Sequence, residues 1–222
     1  MDRPTNAPRT PPVRRPLVIG IVGGVGSGKS AVAKLLSERG AVILDADRMA
    51  HEALETDSVR EALVGRFGQI VLLPNGMVDR PALGKLVFGG KGGAGDEAKK
   101  FLEDLLHPQI RARILEQLAE LRRIAAHLAP AWVVLDAPLL LEGPLADLCD
   151  TLVFVEAPED LRTARTVRHR GWAYEERAAR EAKQLPIDLK RARCQHIIRN
   201  DGDLMHLEQE VAHFLSALDL SN

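Results

Sequence analysis

The sequence predicts an α/β protein in which a five-stranded parallel sheet lies between two layers of helix. Three observations carry that prediction: short apolar, β-branched runs alternate with amphipathic helical stretches, a glycine-rich turn closes the first run, and aspartates close the second and third. Strands buried on both faces read as continuous apolar runs, and their carboxyl ends are where such sheets bind ligands.

The first run, Leu17 to Val22, leads into Gly23-Gly24-Val25-Gly26-Ser27-Gly28-Lys29-Ser30, which satisfies G-x-x-x-x-G-K-[ST] at every specified position. This is a P-loop: its glycines let backbone N–H groups curl around phosphate oxygens, Lys29 adds a point charge, and the Ser30 hydroxyl suits Mg²⁺. Val32, Leu35 and Leu36 then recur at helical spacing until Gly40 stops the helix. Ala41 to Leu44 is the second strand, ending in Asp45-Ala46-Asp47, and from Arg48 the pattern turns helical, with Met49, Ala50, Ala53 and Leu54 on one side. Ser58 to Phe67 continues as helix to Gly68, and Asn75-Gly76 marks a turn. Gly89 to Gly95 reads as a flexible loop; without a preceding strand or a Lys-Ser pair it is no second phosphate site. Ile110, Ile114, Leu118, Leu121, Ala125 and Leu128 define a long amphipathic helix ended by Pro130. Trp132 to Asp136 and Thr151 to Val155 are the third and fourth strands, Ile197-Ile198 belongs to a fifth, and Leu204 to Leu218 carries a closing helix.

At 222 residues the chain suits one domain with insertions. The expected division is a tail over 1–16 and a single P-loop domain over 17–222. Its core is 17–47, 130–158 and 195–218, with a helical region over 48–129 and a lid over 159–191. A net charge of −1 leaves no global field that argues for nucleic acid or a membrane surface, and the longest apolar runs are strand-sized. Residues 1–16 are rich in Pro and Arg and lack the apolar core of a secretory signal. A disordered basic tail is the expectation, since four arginines over sixteen residues make too sparse a patch for a nucleic-acid arm. Cys149 and Cys194 match no metal or redox spacing and point to structural thiols in a reducing, cytoplasmic setting.

A kinase acting on an alcohol needs a carboxylate to accept the hydroxyl proton, and Asp45, Asp47 and Asp136 sit where one belongs. Asp is also a favoured helix cap, which suits the helix near Arg48. The segment from Glu159 to Arg191 carries many arginines and few large apolar residues, so it reads as a solvated helical surface rather than core, with a few arginines free to close over a phosphate.

Beyond the P-loop, the chain resembles the dephospho-CoA kinase family. The resemblance runs through Gly20 to Ser30, Ile43 to His51, Val78-Asp79-Arg80, Leu106-His107-Pro108 opening the long helix, Asp136-Ala137-Pro138-Leu139-Leu140-Leu141-Glu142, Arg180-Glu181-Ala182-Lys183-Gln184, Lys190-Arg191 and Asn200-Asp201-Gly202. It covers about Leu17 to Leu218. The resemblance implies ATP-dependent, Mg²⁺-assisted phosphorylation of the ribose 3′-hydroxyl of dephospho-CoA, the last step of coenzyme A synthesis, by a cytoplasmic enzyme with no nucleic-acid or membrane partner and a monomer as the default state. It implies Asp47 as the base, with Lys29, Arg165 and Arg170 also catalytic. Gly24, Val25, Gly26, Ser27, Gly28, Lys29, Ser30, Arg180, Asn200 and Gly202 would hold ATP, and Ser30 the metal. Asp45, His51, His107, Pro138, Leu139, Leu140 and Glu142 would form the acceptor pocket. For His107 an alternative is that, before Pro108, it fixes the entry to the long helix. Ala31, Cys194-Gln195 and Arg199 depart from the family's usual residues, the last three near the expected adenine site. Two rival readings remain: another small-molecule or nucleoside monophosphate kinase on the same fold, and a P-loop switch protein, against which stand the missing Asn-Lys-x-Asp motif and the built-in arginines.

Overall fold

Strands form where β-branched residues run together, and here they build one sheet in the order β2-β3-β1-β4-β5 with every pair parallel. The computed structural model describes residues 16–88, 93–125 and 132–220. The strands are β1 (Leu17–Gly23), β2 (Val42–Asp45), β3 (Trp132–Asp136), β4 (Thr151–Glu156) and β5 (His196–Arg199). The period of two sends Val18 and Val22 to one face of the sheet and Ile19 and Ile21 to the other, so each face meets its own helical layer.

On the first face pack α2 (Ala46–Leu54), α3 (Asp57–Phe67), α4 (Arg80–Phe88) and α5 (Gly93–Ala125), through Met49, Leu54, Leu63, Leu83, Ile114 and their neighbours. On the second pack α1 (Lys29–Glu38) and α9 (Leu204–Ala217), through Val32, Leu36, Leu207, Val211 and Phe214. Gly20 has no side chain for a physical reason: a Cβ there would lie 2.7 Å from the Leu140 side chain and 2.6 Å from that of Leu152. Between β4 and β5 stand α6 (Glu159–Arg170), α7 (Tyr174–Glu181) and α8 (Ile187–Ala192). The five-stranded parallel sheet with helices on both faces is the one expected.

Three local expectations need correction. The long helix does not open at His107-Pro108: α5 begins at Gly93 and runs 33 residues with Pro108 inside it. A proline forfeits one backbone bond and crowds the preceding turn, but Pro108 and Asp104, whose carbonyl loses its donor, are both exposed, while Leu106, Ile110 and Ile114 fix this stretch in the core. The expected glycine loop is partly helix for the same reason, since Gly93 and Gly95 fall in the first turns of α5; its remainder, the tail over 1–15 and the chain at 126–131 lie outside the described residues. The helix after β2 starts at Ala46 rather than Arg48 and is capped by Asp45, whose Oδ1 accepts the Arg48 N–H at 2.9 Å. Asp47 is therefore a first-turn residue and not the cap.

Candidate active site

The phosphate loop leaves the carboxyl end of β1 and enters α1 without a break. Gly26 and Gly28 have φ of 79° and 93°, values that strain any residue with a Cβ. Space forbids one as well: at Gly28 it would lie 2.0 Å from the Asn200 amide nitrogen, and at Gly26 2.5 Å from the Arg162 carbonyl oxygen. The loop is thus clasped from outside by Asn200, just past β5, and by α6. Asn200 donates through Nδ2 to the Ser27 carbonyl at 2.8 Å, and its Oδ1 accepts from Arg165 at 3.1 Å. Gly28 gives α1 no side-chain cap, so the positive end of that helix opens on a cleft lined by Lys29, Ser30 and Ala31. Lys29 folds back, donating to the Gly23 and Gly24 carbonyls at 3.1 and 3.3 Å. Burial pushes its pKa down to about 8, against the pull of Asp136.

The cleft has a volume of about 800 Å³. Arg165 lines it at the edge of the phosphate loop, with its guanidinium 3.5 Å from the Ser27 carbonyl. His169, Arg170, Trp172, Arg180 and Gln184 from the segment between β4 and β5 line it too, and Gly202, Asp203, Leu204 and Leu207 close the end beside β5. The guanidinium groups of Arg170 and Arg180 lie over the Trp172 ring, 4.8 and 3.9 Å from its centroid. Arg180 also donates to Glu176 at 2.9 Å. The arginine-rich segment is not wholly a solvated surface. Arg162, Arg177 and Lys190 are buried, because each meets a carboxylate: Glu181 for the two arginines and Glu142, at 2.9 Å, for Lys190.

Opposite the arginines stand three acids. Asp45 and Asp136 are register partners at the ends of neighbouring strands, and Asp47 follows one helical residue later. Asp47 opens onto the cleft, yet the protein around it displaces enough water to raise its pKa, and Asp45 adds to the rise; His51, Arg170 and Lys29 oppose it. Burial likewise raises Asp136, against Lys29.

A second cavity, of about 400 Å³, lies between α2, α5 and the chain after β3. Ala46, Ala50, Ile110, Leu139 and Leu145 give it apolar walls, and Lys99, Glu103, His107, Glu142 and Lys183 supply its polar groups. Asp47 and Pro138 line both spaces.

Comparison with known proteins decides the family. The model of the dephospho-CoA kinase family matches residues 17–206. The chain belongs to that family. It is 37% identical to a dephospho-CoA kinase of Geobacter sulfurreducens over 87% of this chain and 94% of that one. It is 41% identical to one of Anaeromyxobacter dehalogenans over 83% and 84%. Among solved structures, the TT1252 protein of Thermus thermophilus superposes with a TM-score of 0.75 at 35% identity, covering 92% of this chain and 98% of that one. A dephospho-CoA kinase from Campylobacter jejuni gives 0.62 at 25%, over 92% and 97%. A shikimate kinase of Bacteroides thetaiotaomicron, at 0.51 and 15%, shares the P-loop fold. The chain is therefore a kinase that takes its phosphoryl group from ATP.

In this chain most of the residues picked from sequence gather around the two spaces. Val25 to Ser30, Asp45, Asp47, Arg165, Arg170, Arg180, Asn200 and Gly202 line the cleft, and His107, Pro138, Leu139 and Glu142 the second cavity. Gly24 lies behind the loop, against Arg162 and Glu181. Leu140 is core, 2% exposed beneath Gly20, and touches neither space. His51 is exposed one turn beyond Asp47 and lines neither. Glu142 has its carboxylate engaged by Lys190 and by the Leu185 N–H at 2.9 Å. His107 sits mid-helix, so it cannot fix the entry to α5. Cys194, Gln195 and Arg199 do not line the cleft; Gln195 accepts the Leu152 N–H at 2.8 Å. Sequence reasoning passed over Trp172, His169, Gln184, Lys99 and Lys183 as site residues. Lys183 and Gln184 stood in a block that resembles the family, and Trp172 carried a signal as a large aromatic in a segment too charged to be core.

Proposed function

We propose that this kinase transfers the γ-phosphoryl group of ATP to the ribose 3′-hydroxyl of dephospho-CoA, giving coenzyme A and ADP. The observation that carries the reading is that Asp47 belongs to the walls of both spaces. A carboxylate at that boundary can accept a proton from a hydroxyl held on one side while the phosphoryl donor lies on the other. Its raised pKa supports the role, since a base must hold a proton long enough to release it to water.

The loop amides, the N-terminus of α1 and Lys29 bind the ATP phosphates, and Arg165 beside the loop, with Arg170 and Arg180, neutralises their charge. Asn200 contributes by bracing the loop, because both ends of its amide are engaged. Adenine then rests on the backbone around Gly202 and on Leu204 and Leu207. The second cavity takes dephospho-CoA, with His107, Pro138, Leu139 and Glu142 on its walls and Asp45 near the hydroxyl; the helical region 48–129 is the acceptor side and 159–191 the lid. Among the described residues no group of three or more His, Cys, Asp or Glu side chains is placed to hold a metal ion alone. The exposed Ser30 hydroxyl and the acids on the same cleft fit a Mg²⁺ ion shared with phosphate oxygens. Bound there, Mg²⁺ would offset charge on the phosphates. A monomer is part of the same proposal, and the two free thiols, Cys149 and Cys194, suit a reducing, cytoplasmic setting.

The purified protein is assayed for ADP release with ATP, Mg²⁺ and, in turn, dephospho-CoA, AMP, CMP and pantothenate. Turnover that requires dephospho-CoA is the expected result. Turnover with another acceptor, or hydrolysis indifferent to all four, overturns the assignment.

A further inference from the structure

Behind the phosphate loop lies a cluster of charges that neither phosphoryl transfer nor acceptor binding uses. Glu181 closes α7, and its carboxylate meets the guanidinium groups of Arg162 on α6 and of Arg177 on α7, the latter at 2.6 Å. Arg177 reaches on to Glu159 at 2.6 Å. The side chains of Arg162 and Arg177 are 7% and 1% exposed, and both Nε atoms are buried with no partner among the described residues. Burying charge this completely is costly, and an apolar set of the same volume holds helices together at least as well. The carboxylate has one task that an apolar side chain cannot perform: its Oε1 accepts the Val25 N–H, in the phosphate loop, at 3.2 Å. The loop is pressed onto the cluster at the preceding residue too, where a Cβ on Gly24 would lie 2.6 Å from Arg162 and 2.7 Å from Glu181. Arg180, the chain neighbour of Glu181, faces the cleft.

We propose that Glu181 is a positioning residue that latches α7 to the phosphate loop through Val25. The shape of the loop and the approach of Arg180 to the phosphates are then set together before ATP arrives. Arg162 and Arg177 aim and neutralise the carboxylate. It follows that the α7 end of the arginine hairpin stays on the loop in the nucleotide-free protein. The proposal rests on the reading of Gly23 to Ser30 as the ATP cradle.

Two variants and one measurement on the wild type test it. Glu181→Gln lowers stability, because Arg162 is left with a neutral partner, but keeps an oxygen for Val25, so the folded variant's KM for ATP rises by no more than about threefold. Arg162→Met with Glu181→Leu removes the latch without stranding a charge, because Arg177 keeps Glu159; its KM for ATP rises about tenfold or more while that for dephospho-CoA stays within about twofold. Circular dichroism confirms that each variant is folded. In wild-type protein without nucleotide, hydrogen exchange finds the peptides over 174–183 and 23–30 comparably protected, and the double variant loses protection in both. A folded double variant with wild-type KM for ATP, or fast exchange over 174–183 in the free wild type, overturns the latch. A wild type that binds no ATP overturns the cradle reading, and the latch with it.

Discussion

Asp47→Asn removes the proposed base and almost nothing else. The helix that carries it is capped by Asp45, so the change leaves the cap intact, whereas losing a cap costs about 1 kcal/mol. It deletes one of three neighbouring negative charges; Asp45 raises the pKa of Asp47, and both raise that of Asp136, so repulsion in the empty site falls. A positioned general base is worth about 100-fold or more in rate, equivalent to about 2.7 kcal/mol of barrier at 1.36 kcal/mol per decade. The variant is therefore expected to lose at least about two decades of kcat, to keep its KM for ATP within about twofold, and to melt at or above the wild-type temperature. ADP release is followed at saturating ATP and dephospho-CoA from acid to neutral pH, beside a thermal melt. Because Asp47 titrates above the ordinary carboxylate value, the wild-type rate falls as acid protonates it, with the midpoint displaced upward, and the variant lacks that limb. A kcat within about tenfold of wild type, or a fall in melting temperature matching a lost cap, would refute the reasoning.

Lys29→Ala is expected to weaken both ATP affinity and rate. Because burial holds Lys29 at about 8 in the free protein, ATP binding at that pH draws in up to about half a proton, which calorimetry in buffers of different ionisation enthalpy detects and which Lys29→Met abolishes. Trp172→Ala deprives Arg170 and Arg180 of their ring and raises the KM for ATP about threefold to tenfold, with partial recovery in Trp172→Phe. The same ring reports binding: Trp132 is buried in the sheet, so an ATP-dependent fluorescence change belongs to Trp172. Leu140→Ala costs about 2–5 kcal/mol in urea unfolding, whereas Leu139→Ala, at an exposed position on the acceptor cavity, leaves stability nearly unchanged and raises the KM for dephospho-CoA.

What the sequence revealed followed from short-range pattern. The strands and the P-loop are written in consecutive residues, and the rule that ligands gather at the carboxyl ends of parallel strands brought Asp45, Asp47 and Asp136 into view together. What it hid depends on partners far along the chain. Arg162 pairs with Glu181 nineteen residues later and Lys190 with Glu142 on another layer, so a segment that looked solvated holds three buried cations. Pro108 reads as a helix boundary by local rule, yet packing of Leu106, Ile110 and Ile114 carries α5 through it. His51 and Leu140 belong to informative blocks, but helical phase turns the first outward and the vacancy above Gly20 draws the second inward.

The unbroken course of α5 has a further consequence. Lys99, Glu103, His107 and Ile110 face the acceptor cavity at intervals of four, four and three, while Ala98, Leu106, Ile110, Ile114 and Leu118 of the same helix fill the core. One rigid rod thus serves as foundation and as gauge, and from Lys99 to Ile110 it offers an edge about 16 Å long at 1.5 Å per residue. Substitutions at Lys99, Glu103 and His107 can retune which elongated molecule is accepted without touching the core, whereas Ile110 belongs to both. A single inserted residue, by contrast, would turn everything beyond it through about 100° and lose both functions at once.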